Sequence, residues 1–192
     1  GTHDVVDIET CPIEHPKLSR TAKIIKDVLN KLNYSSYDEK NAHGLFRYLK
    51  ARIGFGTGEV LITLITNENA IPKTKELIKD IVNKCKDNDI NIVGICQNVN
   101  PKQTNVITGE DNRLLWGRDF IYDKLGKFRF MISNESFYQT NPIQTEVLYN
   151  KALEYSEVTK KDTVIDAYSG IGTVALWFAP HAEYIYGIEE VR

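Results

Sequence analysis

Asp166, Tyr168, Ser169, Gly170, Gly172 and Thr173 fall in one stretch, Thr163 to Leu176, which reads as a strand, a glycine-rich turn and the opening of a helix. Val164 and Ile165 supply the strand. Gly170 and Gly172 let the backbone approach a ligand without a Cβ in the way, and helical apolar spacing resumes from Thr173 to Leu176. A second short strand, Tyr184 to Ile188, ends on Glu189, 17 positions beyond Gly172. An acid at that place can accept hydrogen bonds from both ribose hydroxyls of an adenosine. The pattern is that of a nucleotide-cofactor site.

Two cofactor classes compete for it. The spacing Gly170-x-Gly172-x-x-Ala175 satisfies the dinucleotide fingerprint, which keeps NAD and a dehydrogenase in consideration. In that motif the first glycine turns the chain almost directly off the strand, so that the helix N-terminus meets a pyrophosphate. Here Asp166 ends the strand and three residues intervene before Gly170. A carboxylate there repels a pyrophosphate and suits S-adenosylmethionine, whose amino group and sulfonium are cationic. A glycine turn without a ligand is the third reading.

The elements that must position these residues follow from patterning. At 192 residues and 42% hydrophobic the chain can bury a core, and its length fits one domain or two small ones. Twenty-four Lys and Arg against 26 Asp and Glu give no global basic field, so any nucleic acid must be bound by a local patch. No apolar run approaches the ~20 residues that span a bilayer, and a cytoplasmic protein without a membrane partner is expected. Cys11, Cys85 and Cys96 form no Cys-x-x-Cys pair, which argues against a disulfide framework.

Val5, Val6 and Ile8 predict a short strand, and Pro16 starts a helix whose apolar face is Leu18, Ala22, Ile25, Leu29 and Leu32. Leu45 to Ile53 and Glu59 to Thr66 predict a hairpin about Gly54 to Gly58. On its first strand Phe46, Tyr48, Lys50 and Arg52 share a face by the period of two. Tyr48, Lys50 and Arg52 are candidate RNA contacts, rings stacking on bases and cations meeting phosphates, or simply an exposed strand face. Pro72 opens a second helix with Ile78, Ile81, Val82 and Cys85 buried, followed by a strand from Ile90 to Val99. Short β segments are expected near 104–108, 112–116 and 119–123, then a strand from Phe128 to Ile132. Asn141 with Pro142 and Gln144 forms an N-cap for a helix through Val147, Leu148 and Leu153. Gln139, just ahead of it, is either a loop glutamine or an amide that reaches the cofactor. An open parallel sheet needs several βα units, so the chain reads as an internal piece of a longer protein whose cut sheet could pair with another copy.

Three blocks together carry a resemblance: Ser136-Phe137-Tyr138-Gln139-Thr140-Asn141-Pro142, Val164 to Thr173, and Tyr186-Gly187-Ile188-Glu189-Glu190-Val191. They resemble the RNA (uracil-5-)-methyltransferases, which modify tRNA and 23S rRNA. Asp7, Cys11-Pro12-Ile13, Ala51-Arg52-Ile53-Gly54-Phe55, Thr57-Gly58-Glu59 and Asn98 to Pro101 extend the similarity, nearest to the 23S rRNA enzymes of Gram-positive bacteria. The resemblance implies an α/β chain: residues 1–127 as the family's central α+β domain and 128–192 as the opening of its Rossmann-like catalytic domain. It implies S-adenosylmethionine held by Gln139, the backbone near Tyr168 and Gly170, and Glu189. Ser169 stands where many members have cysteine.

Cys11 matches the family's fourth ligand to a 4Fe–4S cluster, whose other three ligands have no counterpart here. Such clusters take four thiolates, so no cluster is expected in this chain. In the family a cysteine adds to C6 of uracil, the resulting enolate attacks the methyl group, and a carboxylate base removes the C5 proton. That cysteine sits in a Ser-Cys-Asn-Pro type segment that neither Cys85 nor Cys96 matches. By this resemblance the parent is an enzyme, and the chain alone holds no catalytic residue and is inactive. The alternative from another class is a non-catalytic RNA-binding module.

Overall fold

His15 and Pro16 begin the first helix, α1 (Pro16–Lys31): the imidazole Nδ1 of His15 accepts the Lys17 N–H at 3.1 Å, and proline takes the first turn. The computed structural model describes residues 6–190. The strands β1 (Phe46–Ile53) and β2 (Glu59–Thr66) pair antiparallel, as the alternating apolar pattern predicts. The helix α2 (Thr74–Asp87) then crosses to β3 (Asn91–Val99), which runs parallel to β2, and β4 (Asp111–Gly117) closes a four-stranded sheet in the order β1-β2-β3-β4. Helices α1 and α2 pack against this sheet, and Ile25, Val28, Val60, Ile62, Leu77, Ile81 and Cys85 lie in one buried cluster. Lys31 and Asp80 join the two helices at 2.6 Å.

Several expectations shift. Val6 and Ile8 are exposed in irregular chain rather than a strand, and Val5 lies outside the described residues. The stripe of α1 is Thr21, Ile24, Ile25 and Val28, about one residue round from the expected one. Helix α2 starts at Thr74 rather than Pro72 and buries Leu77, Ile81 and Cys85, one straight i, i+4 row, with Ile78 and Val82 flanking. No strand forms near 104–108. The Asn98 and Asn100 side chains bind backbone groups of Val106, Ile107 and Gly109 that a strand would have paired.

The chain divides into two units, one running to Gly54 and continuing through Gly58–Ile121, the other comprising Phe55–Thr57 and the chain from Tyr122 onward. The second unit contains most of β5 (Phe120–Leu125), β6 (Phe128–Ser133), α3 (Pro142–Ser156), β7 (Thr163–Asp166), α4 (Thr173–Phe178) and β8 (Tyr184–Gly187). Strands β5 and β6 form a hairpin about Gly126. Asn141 caps α3 as expected, its Oδ1 accepting the Gln144 N–H at 3.0 Å. Val147 and Leu148 are nonetheless exposed, because α3 docks through Thr145 and Tyr149, and Tyr149 stacks edge-on to Trp177 of α4 at 5.9 Å.

Strands β7 and β8 pair in parallel, Val164 opposite Ile185 and Asp166 opposite Gly187. Alternation turns Val164 and Ile185 to one face, while Ile165, Tyr184 and Tyr186 stay more than half exposed. Strand β7 is therefore covered on one side rather than buried on both. No described helix is long and apolar enough to cross a membrane.

Candidate cofactor site

The parallel pair β7–β8 continues past its last paired residues. Ile188 donates its N–H to the Asp166 carbonyl at 2.8 Å, and Ser169 donates to the Ile188 carbonyl at 3.0 Å, so the turn is tied to the neighbouring strand. Gly172 then closes on the Ser169 carbonyl at 2.7 Å. Gly170 and Gly172 have φ of +50° and +82°, a backbone region in which other residues are strained. A Cβ at either would point into open space, so the turn presents bare backbone outward.

Asp166 faces the other way. Its Oδ2 accepts the Ala175 N–H at 3.1 Å, in the first turn of α4. The N-cap residue of that helix, Gly172, has no side chain to do this. The carboxylate therefore supplies the missing cap from the end of β7, and it complements the positive end of the helix dipole. A pyrophosphate placed on this helix start would meet an acid already occupying an amide. That geometry opposes a dinucleotide.

Glu189, beyond the end of β8, has its Oε2 2.7 Å from the Gly170 N–H. The structure thus brings together Asp166, Ser169, Gly170, Gly172 and Glu189. Tyr168 is 94% exposed at the turn. Thr173 is held from behind, its hydroxyl 2.9 Å from that of Tyr149. Gln139 lies half-buried in the loop between β6 and α3. Its neighbour Tyr138 is packed against Phe130 at 6.2 Å, and burial, then the charge of Asp123, raises its hydroxyl pKa.

The sequence reading missed Tyr149, which couples α3 to the glycine turn through Thr173, and Tyr138, which packs against Phe130 in the segment carrying Gln139. The spacing of Thr145 and Tyr149, both buried, was the available signal for the first.

The β1 face is less open than its alternation implies. Phe46 pairs with Thr66 and Tyr48 with Ile65, so Arg47 is an extra residue in a bulge. The bulge returns Phe46 to the helix-packed core, away from Tyr48. The Tyr48 hydroxyl bonds Glu39 at 3.0 Å, and that bond raises its pKa. Lys50 is half-buried, and burial lowers the Arg52 pKa below the usual guanidinium range.

Cys85 and Cys96 are 0% and 2% exposed, and burial pushes both thiols up to about 11. Cys11 is half-buried. Among the described residues no three His, Cys, Asp or Glu side chains converge as a metal site.

No family model matches the chain. A protein of Halalkalibacterium halodurans named as an uncharacterized RNA methyltransferase is 42% identical over 190 residues, covering 99% of this chain and 41% of the relative. A Clostridium tetani protein of the same description is 42% identical over 191 residues, covering 100% of this chain and 41% of the relative. The chain spans about two fifths of the length of these curated relatives. Among solved structures, the Pyrococcus abyssi tRNA (uracil-54, C5)-methyltransferase in complex with S-adenosyl-L-homocysteine matches with a TM-score of 0.77 and 28% identity, over 98% of this chain and 44% of that one. The fold is a methyltransferase fold. That methyltransferase fold accounts for the α/β architecture that the sequence predicts.

Proposed function

We propose that this chain forms the cofactor-binding part of an S-adenosylmethionine-dependent RNA methyltransferase acting on C5 of uridine. Its substrate is 23S rRNA, with tRNA as the alternative. The observation that carries the reading is the pairing of Glu189 with Gly170 beside a bare glycine turn whose helix start is already capped by Asp166. These residues fit adenosylmethionine: open backbone for the adenosine, an acid for the ribose, and no free helix start for a pyrophosphate. Similarity to named RNA methyltransferases along the whole chain supports it.

In this reading Glu189 releases the Gly170 amide and accepts the ribose hydroxyls, while the backbone from Tyr168 to Gly170 borders the adenosine. Gln139 contributes an amide from the β6–α3 loop. Thr173, held by Tyr149, fixes the end of the turn. The bound cofactor supplies an electrophilic methyl group on a sulfonium. Residues to Lys127 act as the central domain and those from Phe128 as the opening of the catalytic domain.

The thiols of Cys85 and Cys96 are enclosed, and in this reading the cysteine that attacks uracil is neither of them, the chain binding cofactor without turnover. Calorimetric titration with S-adenosylhomocysteine and NAD tests the cofactor assignment. Binding of the first alone is expected; binding of NAD alone overturns it. A methyl-transfer assay on 23S rRNA and on tRNA is expected to show no product with this chain.

A further inference from the structure

The β5–β6 hairpin has a second face that the cofactor site does not use. Asp123, Leu125, Phe130 and Ile132 are buried on one side. Lys124, Arg129 and Met131 project from the other, and Lys127 stands at the turn. The Arg129 guanidinium lies 3.7 Å from the centroid of the Tyr122 ring, and the Lys127 ammonium lies 5.3 Å from that of Phe128. Among the described residues none of these three cations makes an ion pair.

The concentration of charge is local. Residues 122–192 carry ten Asp and Glu against seven Lys and Arg, yet three of those seven fall between positions 124 and 129. Glu146 holds the turn amide of Gly126 at 2.8 Å, yet the three cations outnumber it on this hairpin, and a basic strip on an acidic unit is what a phosphate backbone complements. An arginine over a tyrosine ring offers a plane for a base and donors for a phosphate. Exposed Met131, 57% accessible, adds an apolar surface beside it.

We propose that the outer face of the β5–β6 hairpin, through Lys124, Lys127 and the Arg129–Tyr122 stack, docks a single-stranded stretch of the RNA substrate. This rests on the RNA-methyltransferase reading above. Lysines contact phosphates and set the salt dependence, while the stack holds a base and sets affinity without reading sequence.

The test uses the whole 192-residue chain, a uridine-rich single-stranded RNA oligonucleotide and a range of salt concentrations, with S-adenosylhomocysteine affinity as the folding control. Lys124→Ala with Lys127→Ala is expected to weaken RNA binding about tenfold at low salt and to reduce the salt slope by about 0.7 for each cation removed. Arg129→Lys keeps the charge and is expected to weaken binding about fivefold at an unchanged slope, because the stack is lost. Lys127→Glu alone, at the exposed turn, should act in the same direction as the double variant. If the wild type binds RNA and all variants match it in affinity and slope, the hairpin assignment fails while the RNA reading stands. Should the wild type bind S-adenosylhomocysteine but no RNA, both fail. Displacement of the RNA by poly-glutamate at equal charge concentration would make this a face for acidic protein and overturn the proposal.

Discussion

Glu189 reaches back over the end of the parallel pair to place its Oε2 2.7 Å from the backbone N–H of Gly170. This bond ties the last residue of the β8 register run-on to the first glycine of the turn, and it occupies the group that a ligand would approach. A charge-assisted bond of this kind contributes ~1.5–3 kcal/mol when its acceptor is buried, and less at an exposed site such as this. Glu189→Ala therefore costs little stability, and its consequence is expected at the ligand.

Removal of the carboxylate is expected to weaken S-adenosylhomocysteine binding by about tenfold or more, since the ribose hydroxyls lose a charged acceptor. Glu189→Gln keeps an acceptor and should fall between. Calorimetric titration of the two variants measures the effect. Equal affinities for wild type and Glu189→Ala would remove Glu189 from the site.

Asp166 acts on the start of α4. Because Gly172 contributes no side chain to the α4 start, the Asp166–Ala175 bond is the substitute cap. Asp166→Ala is expected to lower stability by ~1 kcal/mol in urea unfolding, as for other lost caps, and Asp166→Asn by less. An unchanged unfolding midpoint for Asp166→Ala would show that the cap carries no weight.

Arg47 and Arg52 lie on the same strand and should respond in opposite ways. The Arg47 guanidinium donates to the carbonyls of Asn100 and Lys102 and lies 4.4 Å from the Tyr37 ring centroid, pinning the segment after β3. Arg47→Ala leaves those carbonyls without a donor and is expected to cost ~2 kcal/mol. Arg52 is half-buried, has no ion-pair partner among the described residues, and is pulled below its ordinary pKa by burial alone. Arg52→Met should therefore be neutral or stabilising. Thermal unfolding of the two variants side by side checks the ordering.

The sequence made most of this fold legible because its elements announce themselves locally. Pro16 and Asn141 mark helix starts by side-chain chemistry, and Gly170 and Gly172 mark a turn that positive φ requires. What stayed hidden depends on partners distant in the chain. The bulge at Arg47 arises from pairing with β2, and no period-two pattern encodes it. The loop after Val99 resembles a strand in composition, but Asn98 and Asn100 claim its backbone. Spacing singled out Asp166 and Glu189, whereas their hydrogen bonds to Ala175 and Gly170 emerge only once β7 and β8 lie side by side.

The buried thiols give a pH dependence of definite sign. Cys85 and Cys96 titrate near 11 when folded, against an ordinary value of 9.0, because burial disfavours the thiolate. Below pH 9 both states hold the protons and the thiols leave stability unaffected by pH. Above it the unfolded chain releases them first and binds fewer protons, so stability falls as pH rises and levels off near 11. Each thiol contributes a slope of at most ~1.4 kcal/mol per pH unit in that window. Cys85→Ala should lower stability throughout by opening a small cavity, yet remove one thiol's share of the slope between pH 9 and 11. Urea unfolding at pH 8, 9.5 and 11 for wild type and variant measures it. A slope identical in the two proteins would mean that Cys85 ionises as readily in the folded chain as in the unfolded one.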